Sequence, residues 1–169
     1  MASELRVDRI VPTTGVPTGG GGGIIQVVQV TKTDQFATSS TSYTDVTGLS
    51  ASITPIRDDS KILVRVCVMI GTGNTANDNF IRLLRGSTNI LTTDFCVRND
   101  EGTSNNTEYT IEVLDSPNTT SQTTYKLQGK AESNEIFVNR RGSPTVTMGQ
   151  STITPVSYTH LTLPTNREV

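Results

Sequence analysis

The run Lys61–Ile70, KILVRVCVMI, constrains the fold of this chain more than any other stretch. It is the longest apolar run of the sequence, and β-branched residues dominate it. Because side chains alternate between the two faces of a strand, one face would carry aliphatic side chains alone: Ile62, Val64, Val66, Val68 and Ile70. Their burial would contribute about 10 kcal/mol, and the run is too short to cross a membrane as a helix. It therefore predicts the central strand of a β-sandwich.

The composition indicates a folded all-β protein. The chain has 169 residues, enough for one domain with a sizeable core. Hydrophobic residues make up 33% and charged residues 18%, and Thr, Ser, Asn and Gly, which favour strands and turns, fill the difference. The net charge of −2 argues against disorder and provides no charge excess for nucleic acid or an anionic membrane. We therefore expect neither of these as a partner.

Residues 1–23 differ from the rest of the chain and predict a docking segment on a tether. The stretch Glu4–Ile10 alternates like one short strand, and a proline- and glycine-rich stretch ending in Gly19–Gly23 then breaks regular structure. A phosphate-binding loop would need a Lys-Ser/Thr pair and a helix start directly after the glycines, whereas two isoleucines follow. Met1–Arg9 also lacks the apolar stretch of a signal peptide. The glycine run is therefore predicted to be a linker.

Short strand-like stretches with turn signals between them fill residues 24–154. Leu49–Ile53 and Tyr109–Val113 alternate apolar and polar residues, which indicates half-buried strands. Asn139–Ser143 is predicted to form a hairpin tip, and Val146–Thr154 to form the last strand. Roughly eight to ten strands without a convincing amphipathic helix predict an antiparallel, jelly-roll-like β-sandwich.

The residue types that catalysis needs are scarce. The only histidine, His160, lies in a C-terminal stretch unlike the rest, and without it neither a Ser–His nor a Cys–His pair can form. The carboxylates are scattered over turns and loops: Asp58, Asp59, Asp94, Asp100, Glu101, Glu132 and Glu135. Although a fold can bring two distant carboxylates together, as in glycosidases, carboxylates in loops are usually only solvated. We predict that the chain is not an enzyme and has no catalytic residue.

No pattern in the sequence indicates a metal or cofactor site. Asn77–Asn79 superficially resembles a calcium loop but lacks its spacing and its terminal Glu. Cys67 and Cys96 lie in strand-like segments without a CxxC motif, and nothing indicates an oxidising compartment. Two buried free thiols are therefore favoured over a disulfide. We expect no cofactor and no metal ion.

Three polar loops are candidate recognition surfaces, because binding residues concentrate in loops on rigid scaffolds. They are Gly71–Asn79, Asn99–Asn106 and Arg140–Ser143. For any one loop, the alternative is that its polar residues only keep the end of the domain soluble. Glycosylation sequons at Asn105 and Asn118 are expected by chance in a chain rich in Asn and Thr. No individual receptor-binding residue is predicted.

Two regions of the chain resemble one protein family. The segment Leu5–Ile10, followed by prolines and poly-Gly, resembles the N-terminal segment of small tail-fibre and virion structural proteins of bacteriophages, especially marine ones. Four further stretches resemble the C-terminal half of the same proteins: Leu114–Thr120, Thr124–Gln128, Phe137–Arg140 and Ser151–Thr154. The resemblance covers about residues 1–154 and depends more on the order of the motifs than on any one of them.

This resemblance implies a tumour-necrosis-factor-like jelly roll that is a non-enzymatic virion component. It implies attachment to other virion proteins through residues 1–23, contact with a host cell-surface receptor, and a homotrimer. Leu63, Cys67 and Met69 on the second face of the central strand agree with a trimer, because an apolar face needs a partner. The alternative is a bacterial carbohydrate-binding or lectin-like module, against which the absence of Trp weighs. The host, the receptor and the part of the virion stay open.

Residues 155–169 are expected to lie outside the fold. Pro155 cannot donate to a ladder, so we expect it to interrupt the final strand after Thr154. The stretch Val156–Thr165 resembles the translation of a transposase-type sequencing adapter. This resemblance implies that residues 155–169 replace the native end of the strand and that His160 has no role. The alternative is a genuine tail.

Overall fold

Twelve β-strands make up the computed structural model, which describes residues 24–73, 77–99, 105–142 and 147–158. The strands are β1 (Ile24–Val27), β2 (Val30–Lys32), β3 (Phe36–Thr38), β4 (Thr44–Ile53), β5 (Lys61–Thr72), β6 (Asn77–Arg85), β7 (Thr88–Asn89), β8 (Phe95–Asn99), β9 (Asn106–Asp115), β10 (Thr123–Ala131), β11 (Ile136–Val138) and β12 (Ser151–Tyr158). These ranges contain no helix, and hence none that could cross a membrane. The predicted docking segment 1–23 and residues 159–169 lie outside them.

Strand β5 is the centre of a seven-stranded antiparallel sheet, as its sequence predicted. Strand β9 pairs along one side of β5, from Ile62 opposite Asp115 to Gly71 opposite Asn106. The other side of β5 pairs first with β12 and then with β11. Strands β1 and β2 extend the sheet beyond β12, and β3 extends it beyond β11. Strand β9 therefore forms one edge of this sheet.

The second sheet has five antiparallel strands. Strand β10 lies between β4 and β6, and the short strands β7 and β8 both pair with β6. Every second residue of β10 is buried from Thr123 to Ala131, as expected for a strand with one face on a core. In β4 the same alternation buries Leu49, Ala51 and Ile53. The apolar alternation in the sequence therefore sets the inner face of this sheet.

The two sheets pack face to face around one hydrophobic core. The predicted inner face of β5 is at most 1% exposed at each position: Ile62, Val64, Val66, Val68 and Ile70. The facing sheet contributes Tyr125 and Leu127 of β10, both fully buried. Each aliphatic side chain buried in this way contributes about 1.5–3 kcal/mol. The predicted antiparallel, jelly-roll-like β-sandwich is confirmed.

Strand β12 differs from the prediction at both ends. It begins at Ser151 rather than Val146, and it continues through Pro155 to Tyr158. The carbonyl of Pro155 accepts a hydrogen bond from Val28 N at 3.1 Å, on the side facing away from β5. The nitrogen of a strand residue points to the same side as its carbonyl, so the Pro155 nitrogen also faces away from β5. On that side the neighbouring strand is interrupted, because β1 ends at Val27 and β2 begins at Val30. The ladder with β5 therefore loses no donor, and the sandwich extends to residue 158 rather than ending at residue 154.

Asn139 is a buried junction between strands rather than part of the predicted hairpin tip. Its φ is 59°, and it is 0% exposed. Its Nδ2 donates to the carbonyls of Lys32 (2.9 Å) and Asp34 (3.0 Å), and Ser151 Oγ donates to its Oδ1 at 2.6 Å. Its backbone N donates to the Met69 carbonyl at 2.9 Å. Strands β11 and β12 do not pair with each other, and both pair with β5 instead. A single backbone hydrogen bond, from Met148 N to the Asn139 carbonyl at 2.7 Å, closes the connection between them.

Neither cysteine forms a disulfide, as predicted, but neither is buried. Cys67 is half-buried on the outer face of the seven-stranded sheet, with its Sγ 3.6 Å from Thr110 Oγ1. Cys96 is exposed on β8 of the other sheet. The expectation of burial was wrong because the sequence did not show which face of each strand is covered.

Candidate functional site

The three candidate loops meet at one end of the sandwich, around Thr72 at the end of β5. Thr72 N donates to the Asn105 carbonyl at 3.0 Å, and Gly142 N donates to the Thr72 carbonyl at 3.3 Å. One strand end thus connects loops that are far apart in the sequence. We define the loop end as residues 71–73, 105–106 and 139–142.

The loops are shorter than the sequence predicted. The first was predicted as Gly71–Asn79, but β5 continues to Thr72 and β6 begins at Asn77. Asn77–Asn79 are therefore strand residues and do not form a calcium loop. Residues 100–104 of the second loop and residue 143 of the third lie outside the described residues.

Close backbone packing and two arginines characterise the loop end. A Cβ at Gly71 would lie 1.8 Å from the carbonyl oxygen of Arg140, so only glycine fits there. The Arg140 guanidinium lies over the Phe137 ring, 4.3 Å from its centroid. The Nε atoms of Arg140 and Arg141 are buried and have no hydrogen-bond partner in the described part of the chain. The loop end therefore carries two cationic side chains on a tightly packed backbone.

The chain enters the sandwich at the opposite end. Ile24 pairs with Tyr158, and Tyr158 pairs with Lys61 at the start of β5. Because Thr72 is at the far end of the same strand, the two ends lie about 36 Å apart at the rise of an extended strand. We define the tether end as residues 24, 54–61, 115–116 and 158. Residues 1–23 thus join the sandwich at the end remote from the loop end.

A buried polar network closes the tether end between the two sheets. Tyr125 OH donates to Asp115 Oδ2 at 2.7 Å, and Arg85 Nη1 donates to Asp115 Oδ1 at 2.7 Å. Burial, and then the hydrogen bond to the Asp115 carboxylate, raise the pKa of Tyr125. The phenol therefore stays protonated and keeps its role as a donor. The network joins β9 to β6 and β10, which is a structural role.

An apolar row crosses the outer face of the seven-stranded sheet. Its four members occupy matching register positions on four adjacent strands, and so share one face: Val27, Val156, Leu63 and Leu114. Val27 and Leu114 are each 56% exposed, and Ile24, which lies on β1 with Val27, is 71% exposed. Exposed apolar surface of this kind marks interaction sites. We call these four residues the outer row.

A groove of about 570 Å³ opens between the edge strand β9 and the segment that leads into β8. Apolar residues line both walls: Ile90, Leu91, Phe95, Ile111, Val113 and Leu114. The rings of Phe95 and Tyr109 connect the walls in an edge-to-face contact, 5.3 Å apart at 70°. Among the described residues, no strand pairs with the outer edge of β9. The groove therefore lies beside a free strand edge.

Asp94 anchors the wall of the groove opposite β9. Tyr43 OH donates to Asp94 Oδ2, and Asn89 Nδ2 donates to Asp94 Oδ1 at 3.1 Å. The Arg82 guanidinium lies 3.9 Å from the centroid of the Tyr43 ring. Burial, followed by the hydrogen bond to Asp94, raises the pKa of Tyr43, which keeps the phenol a donor. Asp94, a candidate carboxylate in the sequence, thus holds a loop in place.

The other candidate carboxylates lie at opposite ends of the sandwich. Asp58–Asp59 are in the turn before β5, at the tether end, whereas Glu132 and Glu135 follow β10 near the loop end. Asp100–Glu101 and His160 lie outside the described residues. Within the described ranges, no three His, Cys, Asp or Glu side chains are close enough to hold a metal ion. The structure therefore gives no support to a carboxylate pair made from these two groups.

Lys32 is a buried cation that the sequence analysis missed. Its side chain is 0% exposed, and its Nζ donates to Asp34 Oδ1 at 2.8 Å. This hydrogen bond lowers the pKa of Asp34. A Cβ placed on Gly48 would lie 3.6 Å from the lysine chain, so β4 covers it. The sequence around Lys32 does not indicate its burial, because the strand that covers it, β4, is a separate segment of the chain.

No protein-family model matches the chain, and no curated protein matches it. Solved structures that match include infectious bursal disease virus strain Gx, with a TM-score of 0.44 and 13% identity over 88% of this chain and 44% of that chain. A mutant VP2 protein of the same virus in T=1 particles has a TM-score of 0.45 and 16% identity over 85% and 42%. Latent PorU from Porphyromonas gingivalis has a TM-score of 0.35 and 11% identity, over 85% of this chain and 14% of that chain.

The chain spans less than half of the length of each of these three structures. These identities and TM-scores are too low for the matches to indicate what this chain does. The fold rests on the strand pairing and the buried core described above.

Proposed function

We propose that this chain is a non-enzymatic structural component of a phage virion, in a tail fibre or associated with the tail, that contributes to attachment to the host surface. In this proposal residues 1–23 bind other virion proteins and the loop end contacts a receptor on the host cell. The resemblance of the ordered sequence motifs to phage virion proteins supports it, together with the rigid β-sandwich that presents polar loops.

The observation that carries the proposal is the separation of the two ends. Residues 1–23 join the sandwich beside Lys61, whereas the candidate loops meet around Thr72 at the other end of β5. A protein that is anchored through one segment and binds a receptor with another needs this arrangement. The outer row adds an assembly surface along the side of the sandwich.

A lectin-like module is the alternative function, and the described part of the loop end does not favour it. A glycan platform usually presents exposed aromatic rings. Here Phe137 is 2% exposed and lies beneath the Arg140 guanidinium. Phe95, which is 36% exposed, lines the groove at the side of the sandwich instead.

We also propose that copies of the chain associate as a homotrimer. The outer row leaves Val27 and Leu114 more than half exposed on one copy, and a neighbouring copy that covers them would remove apolar surface from water. The resemblance to trimeric virion proteins supports three as the number of copies.

The test of attachment is the binding of fluorescently labelled full-length chain to a panel of candidate host bacteria. The variant Arg140→Gln/Arg141→Gln removes the two loop-end cations. The matched control Arg57→Gln/Arg65→Gln removes two cations that are each more than half exposed and lie away from the loop end. Thermal melting of each variant separates lost binding from lost folding.

We expect the unmodified chain and the control to bind the same strain and the loop-end variant to lose most of this binding. Absence of binding to every strain, or equal binding by both variants, contradicts the proposed site. Release of sugar from a cell-surface glycan by the purified chain contradicts the non-enzymatic role.

A further inference from the structure

We propose that the free edge of β9 and the groove beside it receive residues 5–10 of a second copy of the chain as an added strand. This inference goes beyond the proposed function and changes one part of it: residues 5–10 join copies of the chain to one another, and the rest of residues 1–23 is left to bind other virion proteins. It rests on the backbone edge, the shape of the groove and the charges along β9.

The outer edge of β9 carries backbone hydrogen-bonding groups, and no strand of the described residues pairs with it. The Asn105 carbonyl accepts from Thr72 N, and the register with β5 stays regular to Asp115. Backbone groups of alternate residues in a strand point to opposite sides. The even-numbered residues from 106 to 114 therefore direct N–H and C=O groups away from β5. An extended peptide can pair with such an edge through its main chain.

The groove supplies apolar contacts with the same period of two. Tyr109, Ile111 and Val113 alternate on the inward side of β9, partly covered by the wall around Phe95. An added strand with apolar residues at alternate positions would fill this space. Leu5 and Val7 have this spacing and would lie beside Val113 and Ile111, and Arg9 would lie beside the Tyr109 ring.

The charges of β9 select a basic strand over a second β9. Glu108 and Glu112 are exposed on its outward side. Two β9 edges paired antiparallel around Thr110 would place Glu108 of one copy opposite Glu112 of the other, which is unfavourable. A strand with Leu5 beside Val113 instead places Arg6 opposite Glu112. Glu112 is also contacted by Arg65 of β5, whose Nε lies 3.3 Å from Glu112 Oε1, and Arg6 would share this carboxylate. In the same register Asp8 lies opposite Thr110 and meets no acidic residue. The charges of β9 thus favour the arginine-bearing segment.

The outer row indicates that the added strand comes from a second copy of the chain rather than from the same copy. Leu114 belongs both to the outer row and to the lining of the groove. A neighbour that covers the outer row therefore also lies beside the groove. Residues 11–23, as a glycine-rich tether, span on the order of 20 Å, enough to cross such a contact. Exchange of segments around a closed ring gives a trimer without an open end.

The test combines two full-length variants, each defective in one half of the contact. Leu5→Asp/Val7→Asp changes only the segment, which is outside the described sandwich. Val113→Asp changes the groove at a residue that also packs against the core, so a thermal melt checks that this variant is folded. Light scattering at micromolar concentration gives the mass of each. We expect a trimer for the unmodified chain, a monomer for each variant alone, and a two-chain species in the mixture, because one intact segment then meets one intact groove.

A charge exchange provides the control that does not disturb the core. The exchange is made in an Arg65→Gln background, because Arg65 is the partner of Glu112 on the neighbouring strand. In that background Arg6→Glu is expected to weaken the trimer, Arg6→Glu/Glu112→Arg to restore it, and Arg6→Glu with Glu132→Arg, an exposed position elsewhere, not to restore it. A segment variant that stays trimeric overturns the inference and leaves the proposed trimer standing. An unmodified chain that is monomeric overturns both. An association that Glu112→Arg fails to restore overturns the pairing of Arg6 with Glu112.

Discussion

Asn139 connects three segments that are distant in sequence through one side chain. Its carboxamide reaches β2 and the residue Asp34 after it, and it accepts from Ser151 at the start of β12. A positive φ is costly for most residues, and asparagine tolerates it better than most. Both the conformation and the hydrogen bonds therefore require asparagine at this position.

Asn139→Ala is expected to lower the free energy of unfolding by about 3 kcal/mol or more, because it leaves buried carbonyls and a buried hydroxyl without their partner. Asn118 also has positive φ, 51°, but is exposed. Asn118→Ala should therefore cost only the conformational part, about 1 kcal/mol. Urea denaturation of both variants measures the difference, and equal losses would contradict the role of the buried hydrogen bonds.

The pair Lys32 and Asp34 makes stability depend on pH. The hydrogen bond from Lys32 lowers the pKa of Asp34 below its ordinary value of 3.8. A lowered pKa in the folded state gives stability that is present above the unfolded value and is lost as pH falls through the folded value. Acid thus removes the only described partner of a buried ammonium.

Asp34→Asn is expected to lower the melting temperature at pH 7, with a gap to the unmodified chain that closes as the pH falls well below 3.8. Thermal melts from pH 7 to pH 2 measure the gap. Lys32→Met provides the control, because Asp34→Asn should have no comparable effect in that background. A gap that stays constant down to pH 2 would show that Asp34 stabilises the fold by another route.

At the scale of elements, the sequence predicted the strands whose own periodicity decides their burial. The inward faces of β5, β9 and β10 follow from alternation within ten or so residues. The path of β12 through Pro155 could not be predicted from the sequence around Pro155. It depends on the gap between β1 and β2, which both pair with β12 and are distant from it in the sequence. The false hairpin at Asn139 has the same origin, since its partners are distant in sequence.

The candidate site was predictable in part for the same physical reason. Turn-forming and polar residues marked the three loops, but only the pairing of β5 with β9 and β11 brings them to one strand end. The groove had no local signal, because its walls belong to different sheets. Sequence patterns predict which residues a strand buries, and long-range pairing decides which surfaces meet.

At the scale of the whole molecule, the central claim is that the two ends have different tasks. In the proposed arrangement, the tether end, where residues 1–23 join, faces the particle, and the loop end faces outward. Single cysteines in a Cys67→Ser/Cys96→Ser background can report this directly. Asn105→Cys marks the loop end, and Ile56→Cys, at a position that is 53% exposed, marks the tether end.

Electron microscopy of assembled particles after thiol-gold labelling is the most direct test of this claim. The proposed orientation predicts gold at the outer tip of the structure for Asn105→Cys, and gold close to the particle body or no labelling for Ile56→Cys. Gold from Ile56→Cys at the tip, with Asn105→Cys shielded against the particle, would contradict it.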